Sequence, residues 1–354
     1  GISFYTFHGL SYIIDVYKER IKAERNFIDY SLFVSYFPLL VAGPIERATH
    51  LLPQIKKPRF FNHTLAADGL RQILWGLFKK VVIADSCAVV VNSIFEDYAH
   101  QTSGSLVLGA IFFSFQIYGD FSGYSDIALG TSRLFGIELL RNFNFPYFSR
   151  DIAEFWRRWH ISLSSWFKDY LYIPLGGSKG GTWMKVRNTF IIFIVSGFWH
   201  GANWTFIAWG ALNAFLIMPS IILSTNRHNL EIVAKNKLFP SAKETIQILV
   251  TFTFTTIAWV FFRSPTIKDA VMYLRKTVGN SLFTTTIETH KLVSLFLFIV
   301  ILLVVEWFQR QKKHGLDFQQ LKVPVLLRWS AYVVLIFGIL LFNGESKEFI
   351  YFQF

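Results

Sequence analysis

The sequence predicts an all-α, polytopic membrane protein, and two observations carry that prediction. The 354 residues are 53% hydrophobic and 18% aromatic, with 39 Phe and 11 Trp, yet only 16% are charged. Soluble domains carry about 25% charge. The charges also fall in short runs between long uncharged stretches, and a helix needs about 20 mainly apolar residues to cross a bilayer. A disordered chain, a coiled coil and a collagen-like fibre are excluded by the same composition.

The apolar stretches give the elements in order: roughly 1–17, 28–45, 68–95, 99–119, 188–223, 245–262, 292–309 and 326–343. The third contains Lys79 and Lys80, and the last two have short charge-free cores, which tilt or snorkelling side chains accommodate. The stretch Asn188 to Leu223 holds 36 residues without Asp, Glu, Lys or Arg. As one helix it would run about 54 Å, against a hydrocarbon core of about 30 Å. It therefore predicts a helix pair, or one long tilted or broken helix, with Gly197, Gly201 and Gly210 as weak points. The chain opens at Gly1 inside an apolar aromatic segment with no basic run or cleavage site, so this is not a signal peptide. An N-terminally truncated start is expected, with 1–354 forming a single membrane-embedded core.

Residues 141–187 differ in character, with eight basic residues against three acids. Phe155, Trp159, Leu163, Trp166 and Tyr170 fall at helical spacing on one stripe. This predicts a basic, aromatic, amphipathic helix at the interface or re-entering the membrane edge, on the cytoplasmic side by its Lys and Arg excess. The other basic runs, 47–59, 225–243 and 310–328, read as loops. The net charge of +12 thus belongs to loops facing anionic lipid, and no nucleic-acid partner is expected. The single Cys87 cannot form an intrachain disulfide. No internal repeat is visible, which counts against an inverted-repeat transporter.

Two histidines are candidates for chemistry. His200, in Ser196-Gly197-Phe198-Trp199-His200-Gly201-Ala202-Asn203-Trp204, lies twelve residues into the uncharged stretch, where an ionisable group is costly and points to function. The structural alternative is a neutral core histidine bonded to a carbonyl or to Asn203. His160 lies among Trp156, Arg157, Arg158, Trp159 and Trp166, where an interfacial histidine is common. No HExxH, His-x-x-x-His or cysteine pair occurs, so no metal site is expected. Asp120 and Asp126 read as helix caps ahead of a proton or ion site, and Pro174 to Gly181 as a turn and not a phosphate loop. No G-x-S-x-G elbow signals a serine acyl-enzyme.

The run Arg150-Asp151-Ile152-Ala153-Glu154-Phe155-Trp156-Arg157-Arg158-Trp159-His160-Ile161-Ser162-Leu163 resembles a signature of the membrane-bound O-acyltransferases, in the bacterial branch concerned with alginate O-acetylation. Phe198-Trp199-His200-Gly201-Ala202-Asn203-Trp204 resembles its second signature. Gly43-Pro44-Ile45-Glu46, the segment Tyr118 to Asp126, and Phe349 to Phe354 are similar to that branch as well. The resemblance implies a curved set of helices with interfacial or re-entrant pieces around a central tunnel that meets at His200. It also implies a multi-pass protein of the bacterial inner membrane and further helices before Gly1. The implied activity moves an acyl group, acetyl in the first instance, from acetyl-CoA or an acylated carrier protein to a hydroxyl of an extracellular polysaccharide or a periplasmic partner protein. No tightly bound cofactor is implied. The position of His160 is His, Asn or Asp across the wider family. Histidine suits proton removal near neutral pH, so the expectation is His200 as general base, with His160 orienting the acceptor or stabilising the oxyanion. Trp199 and Asn203 are expected to line the substrate. Arg157 and Arg158 are expected to attract donor phosphates, or else to form a solvated face or meet lipid headgroups. The competing class is a transporter or channel using both histidines as a proton relay.

Overall fold

The computed structural model describes residues 2–318 and 323–342, so the segment Phe349 to Phe354 lies outside the described residues. Among the described residues there are fourteen α-helices and no strand. They are α1 (Ile2–Tyr17), α2 (Phe27–Val34), α3 (Ala48–Lys56), α4 (His63–Leu77), α5 (Asp85–Glu96), α6 (Ser103–Leu134), α7 (Ile152–Arg158) and α8 (Ile161–Phe167). The chain continues through α9 (Gly181–His200), α10 (Trp204–Ile222), α11 (Ala242–Arg263), α12 (Ile267–Thr277), α13 (Thr289–Phe308) and α14 (Val325–Leu341). Helices α6, α10, α11 and α13 are long and apolar enough to cross a membrane.

The predicted segments 1–17, 245–262, 292–309 and 326–343 correspond to α1, α11, α13 and α14. The segment 28–45 does not form a span. It holds the eight residues of α2 and a short 3₁₀ turn, Phe37–Leu39, because Pro38 and Gly43-Pro44 interrupt the run. The basic run 47–59 is not all loop either, since it contains α3.

The segment 68–95 is part of a longer helical run. Helices α4 and α5 are joined without a break through a π-helical turn, Phe78–Ala84. This run packs along α6 through a glycine seam. A Cβ on Gly69 would sit 2.6 Å from the Gly130 carbonyl oxygen, and one on Gly76 would sit 2.6 Å from that of Gly123. Such small-residue contacts let helix backbones approach closely. Close approach in turn brings Lys79 and Lys80 to the acids of α6. Lys79 Nζ lies 2.6 Å from Asp126, and Lys80 Nζ 2.7 Å from Asp120. The expectation that Asp120 and Asp126 are caps therefore fails. The helix does not end near them but runs on to Leu134, and the two acids neutralise the lysines that made the third segment look imperfect.

The uncharged stretch is a helix pair, α9 and α10, with its break at Gly201-Ala202-Asn203. Helix α9 starts earlier than the stretch, at Gly181 after the Gly-rich turn, so His200 is its last residue. Only Gly201 is a weak point. Gly197 and Gly210 are packing positions, each facing a carbonyl of the partner helix (Phe206 and Phe193) at 2.3 Å from a notional Cβ.

The stripe in 141–187 also differs from expectation. It is not one amphipathic helix at the lipid surface. Residues Phe155, Trp159, Leu163, Trp166 and Tyr170 are all buried, and the helix breaks between α7 and α8 at Trp159-His160. The stripe faces the core, where Phe155 stacks on Tyr147 and Trp159 packs at a tilt against Trp259.

Candidate active site

The site is assembled on the break between α7 and α8. Asp151 caps α7, its Oδ1 accepting from the Glu154 amide at 2.6 Å. Glu154 is buried, and its two oxygens accept from Arg150 and Arg158. Helix α7 ends at Arg158, and His160 then takes the left-handed conformation, φ 45° and ψ 53°. Asn, Asp and His enter that region more readily than other non-glycine residues. The reversal lets His160 leave the helix path and point into the core.

The imidazole of His160 is held by a segment that returns from α6. Asn142 Oδ1 accepts from His160 Nδ1 at 3.0 Å and from Ser162 Oγ at 2.9 Å. Asn142 Nδ2 donates to Ser125 Oγ at 3.1 Å, and its backbone oxygen accepts from the Ile161 amide at 2.9 Å. Ser162 Oγ itself accepts from the Ile45 amide at 2.9 Å. The Gly43-Pro44-Ile45-Glu46 motif supports the same segment. Glu46, fully buried, accepts from the Leu140 amide at 2.5 Å and from His50 Nδ1 at 2.7 Å. That bond lifts His50 above the ordinary histidine value, against a smaller opposing effect of burial. The Glu46 amide donates to His8 Nε2 of α1 at 3.0 Å.

His200 sits in an aromatic box at the end of α9, with ring centroids 5.1 Å from Trp209, 5.1 Å from Phe262 and 4.9 Å from Trp199. Trp199 joins the two motifs, because its centroid is also 6.2 Å from that of His160. Phe4 and Phe7 of α1 press on the same indole, each at 5.4 Å. The two histidines, 40 residues apart in sequence, thus meet across one ring. Two polar atoms in this cluster are buried without a hydrogen-bond partner among the described residues: His160 Nε2 and Trp199 Nε1. Leaving such an atom unpaired costs about 1–3 kcal/mol, and two of them lie together in this aromatic cluster.

The other expected site residues lie apart from this centre. Arg158 is buried and committed to Glu154 at 2.7 Å and to the Asn144 carbonyl at 3.2 Å. Arg157 is exposed and donates to the carbonyls of Asn226 and Asn229. Asn203 is exposed and caps α10, its Oδ1 accepting from the Thr205 amide at 3.0 Å while Nδ2 donates to Pro265 O. Arg157 lines a pocket of about 510 Å³ with Trp156, Phe193 and Ser196. A groove of about 960 Å³ adjoins it at Ile217, Asn226 and Arg227, and carries Lys168, Lys179 and Lys185. Neither lining contains an Asp or Glu. Asn142 and Glu46 were not among the expected site residues. The Gly-Pro-Ile-Glu motif was the available sign of Glu46, whereas Asn142 lies in a segment with no distinctive spacing.

A buried histidine, His160, and a half-buried one, His200, thus meet across one indole in an all-helical chain that carries membrane-length helices. The sequence model of the membrane-bound O-acyltransferase family matches residues 16–262, and the chain belongs to that family. It is 42% identical to a probable alginate O-acetylase of Pseudomonas aeruginosa over 275 residues, which is 76% of this chain and 49% of that protein. It is 33% identical to a peptidoglycan O-acetyltransferase of Helicobacter pylori, across all of this chain and 74% of that one. It is 28% identical to a teichoic acid D-alanyltransferase of Bacillus subtilis, covering 74% of this chain and 67% of the other. The chain spans about half the length of the alginate O-acetylases it matches.

Proposed function

We propose that the full protein is an O-acyltransferase of the bacterial inner membrane, moving an acyl group, acetyl in the first instance, from a thioester to a hydroxyl of a cell-surface polymer or its periplasmic carrier. Family membership supports this reading over a transporter. The observation that carries the site is the pair of unpartnered buried atoms, an acceptor on His160 and a donor on Trp199. His200 takes the proton of the attacking hydroxyl as its oxygen bonds to the acyl carbon. The carbon–sulfur bond then breaks, and the proton passes to the leaving thiolate. Trp199 Nε1–H donates to the oxyanion that develops between those steps. His160 Nδ1 donates to Asn142, so neutral His160 offers only the lone pair of Nε2. That supports orientation of the acceptor, through a neighbouring hydroxyl of a sugar, over an oxyanion role.

The donor is anionic, acetyl-CoA or an acylated carrier protein. The acid-free basic groove and adjoining apolar pocket support its approach there, with Arg157 on the lining. Arg158 would act from within the buried ion pair, holding α7 in place. Membranes carrying the full-length protein, supplied with labelled acetyl-CoA, should transfer label to glycan or protein. His200→Ala at normal abundance should abolish that transfer, and undiminished labelling would overturn the assignment.

A further inference from the structure

We infer that Asn142 is a positioning residue that selects the working tautomer of His160. This rests on the acyl-transfer reading above. An amide oxygen can only accept, so the bond from Asn142 Oδ1 to His160 Nδ1 at 3.0 Å requires hydrogen on Nδ1. The orientation of the amide is itself fixed. Ser162 Oγ accepts from the Ile45 amide and spends its one hydrogen on Oδ1, while Asn142 Nδ2 is turned to Ser125. Three elements, α6, α8 and the Gly-Pro-Ile-Glu segment, therefore hold one amide in one orientation.

The consequence falls on the far side of the ring. Nε2 is left as a bare lone pair, buried and without a partner among the described residues. Around the His160 ring stand Phe4, Phe121 and Phe143, which offer no competing donor, and Trp199. The titratable group that acts on His160 through space is His200. A ring with free choice of tautomer would place N–H on Nε2 part of the time and could not then accept from a substrate hydroxyl.

The test separates this role from mere packing. Asn142→Asp keeps the shape but puts a carboxylate beside Nδ1, which favours the imidazolium form, whose Nε2 cannot accept. The acid limb of acyl transfer against pH, measured in membranes of the full-length protein with labelled acetyl-CoA, should move up by about one unit. Activity should return at higher pH. A second measurement does not depend on that variant folding. Asn142→Ala should lower the rate per folded molecule about tenfold or more in the parent, as loss of an orienting partner does. In a His160→Gln background it should cost less than about twofold, since there is no ring left to orient. Equal losses in both backgrounds, or an unchanged pH profile in Asn142→Asp, overturn the inference while leaving the acyltransferase reading intact. Parental activity in His160→Gln alone overturns the role assigned to His160, and the inference with it.

Discussion

His160 and His200 lie against the same indole, their ring centroids 6.2 Å and 4.9 Å from that of Trp199. The shared ring fixes the two histidines relative to each other. It also carries a buried N–H with no acceptor among the described residues. Trp199→Phe keeps most of the aromatic surface and deletes that donor. The turnover rate should fall about 100-fold, as when an oxyanion donor is removed, with protein abundance unchanged. A parental rate would show that Trp199 serves packing alone.

The two neighbouring arginines should separate folding from binding. Arg158→Met leaves Glu154, which is 1% exposed, with Arg150 as its remaining cation, and truncating one partner of a buried pair costs about 3–5 kcal/mol. The variant should be scarce in membranes. Arg157→Ala should accumulate normally and raise the half-saturating donor concentration, because Arg157 lines the pocket and its bonds reach only backbone carbonyls. Immunoblotting and donor titration distinguish the two, and the reverse pattern would exchange their roles.

The α4–α6 seam makes a third case. Lys79 is 3% exposed and bonded to Asp126 at 2.6 Å and Ser122 at 2.9 Å. Lys79→Met leaves the Asp126 carboxylate with the Gln72 amide but without its cation, and should destabilise the protein by about 3 kcal/mol. Adding Asp126→Leu to that variant should restore most of the loss, as read by thermal unfolding in detergent. No recovery would mean that the pair is needed for something beyond its own neutralisation.

The Glu46–His50 bond gives a dependence on pH. The folded protein holds His50 above its ordinary value, so the protonated form binds more favourably in the folded state. Its contribution is fully present below the ordinary histidine range and is lost as pH rises through the raised folded value. Between pH 5 and 8, the thermal midpoint of the parent should thus fall relative to that of His50→Gln as pH rises. Parallel curves for the two proteins would exclude His50 as the source.

Much of the long-range plan was legible in the sequence, because composition and charge spacing report directly on burial in lipid. That residues 188–223 form a helix pair or a long tilted or broken helix followed from a length of apolar chain too great for one crossing, but not which of Gly197, Gly201 and Gly210 supplies the break. Other features depended on contacts that spacing does not encode. Lys79 and Lys80 looked like flaws in a span until the glycine seam brought Asp126 and Asp120 within bonding distance. The stripe from Phe155 to Tyr170 has helical period, but it gives no notice of a backbone reversal at His160, nor of which side the core lies on. Asn142 was silent for a related reason: one amide in a coil gains meaning only from the ring it meets.

The left-handed backbone at His160 also limits what evolution can place there. The side chains that enter this conformation at least cost are Gly, Asn, Asp and His. The last three are the residues that the resemblance allows at this position across the wider family. Backbone sterics thus restrict this position before any chemistry is considered. His160→Asn should fold as well as the parent whether or not it turns over, whereas His160→Val, β-branched and at positive φ, should not reach the membrane in quantity. A neutral survey of substitutions at this site, scored for abundance alone, would recover the same short alphabet.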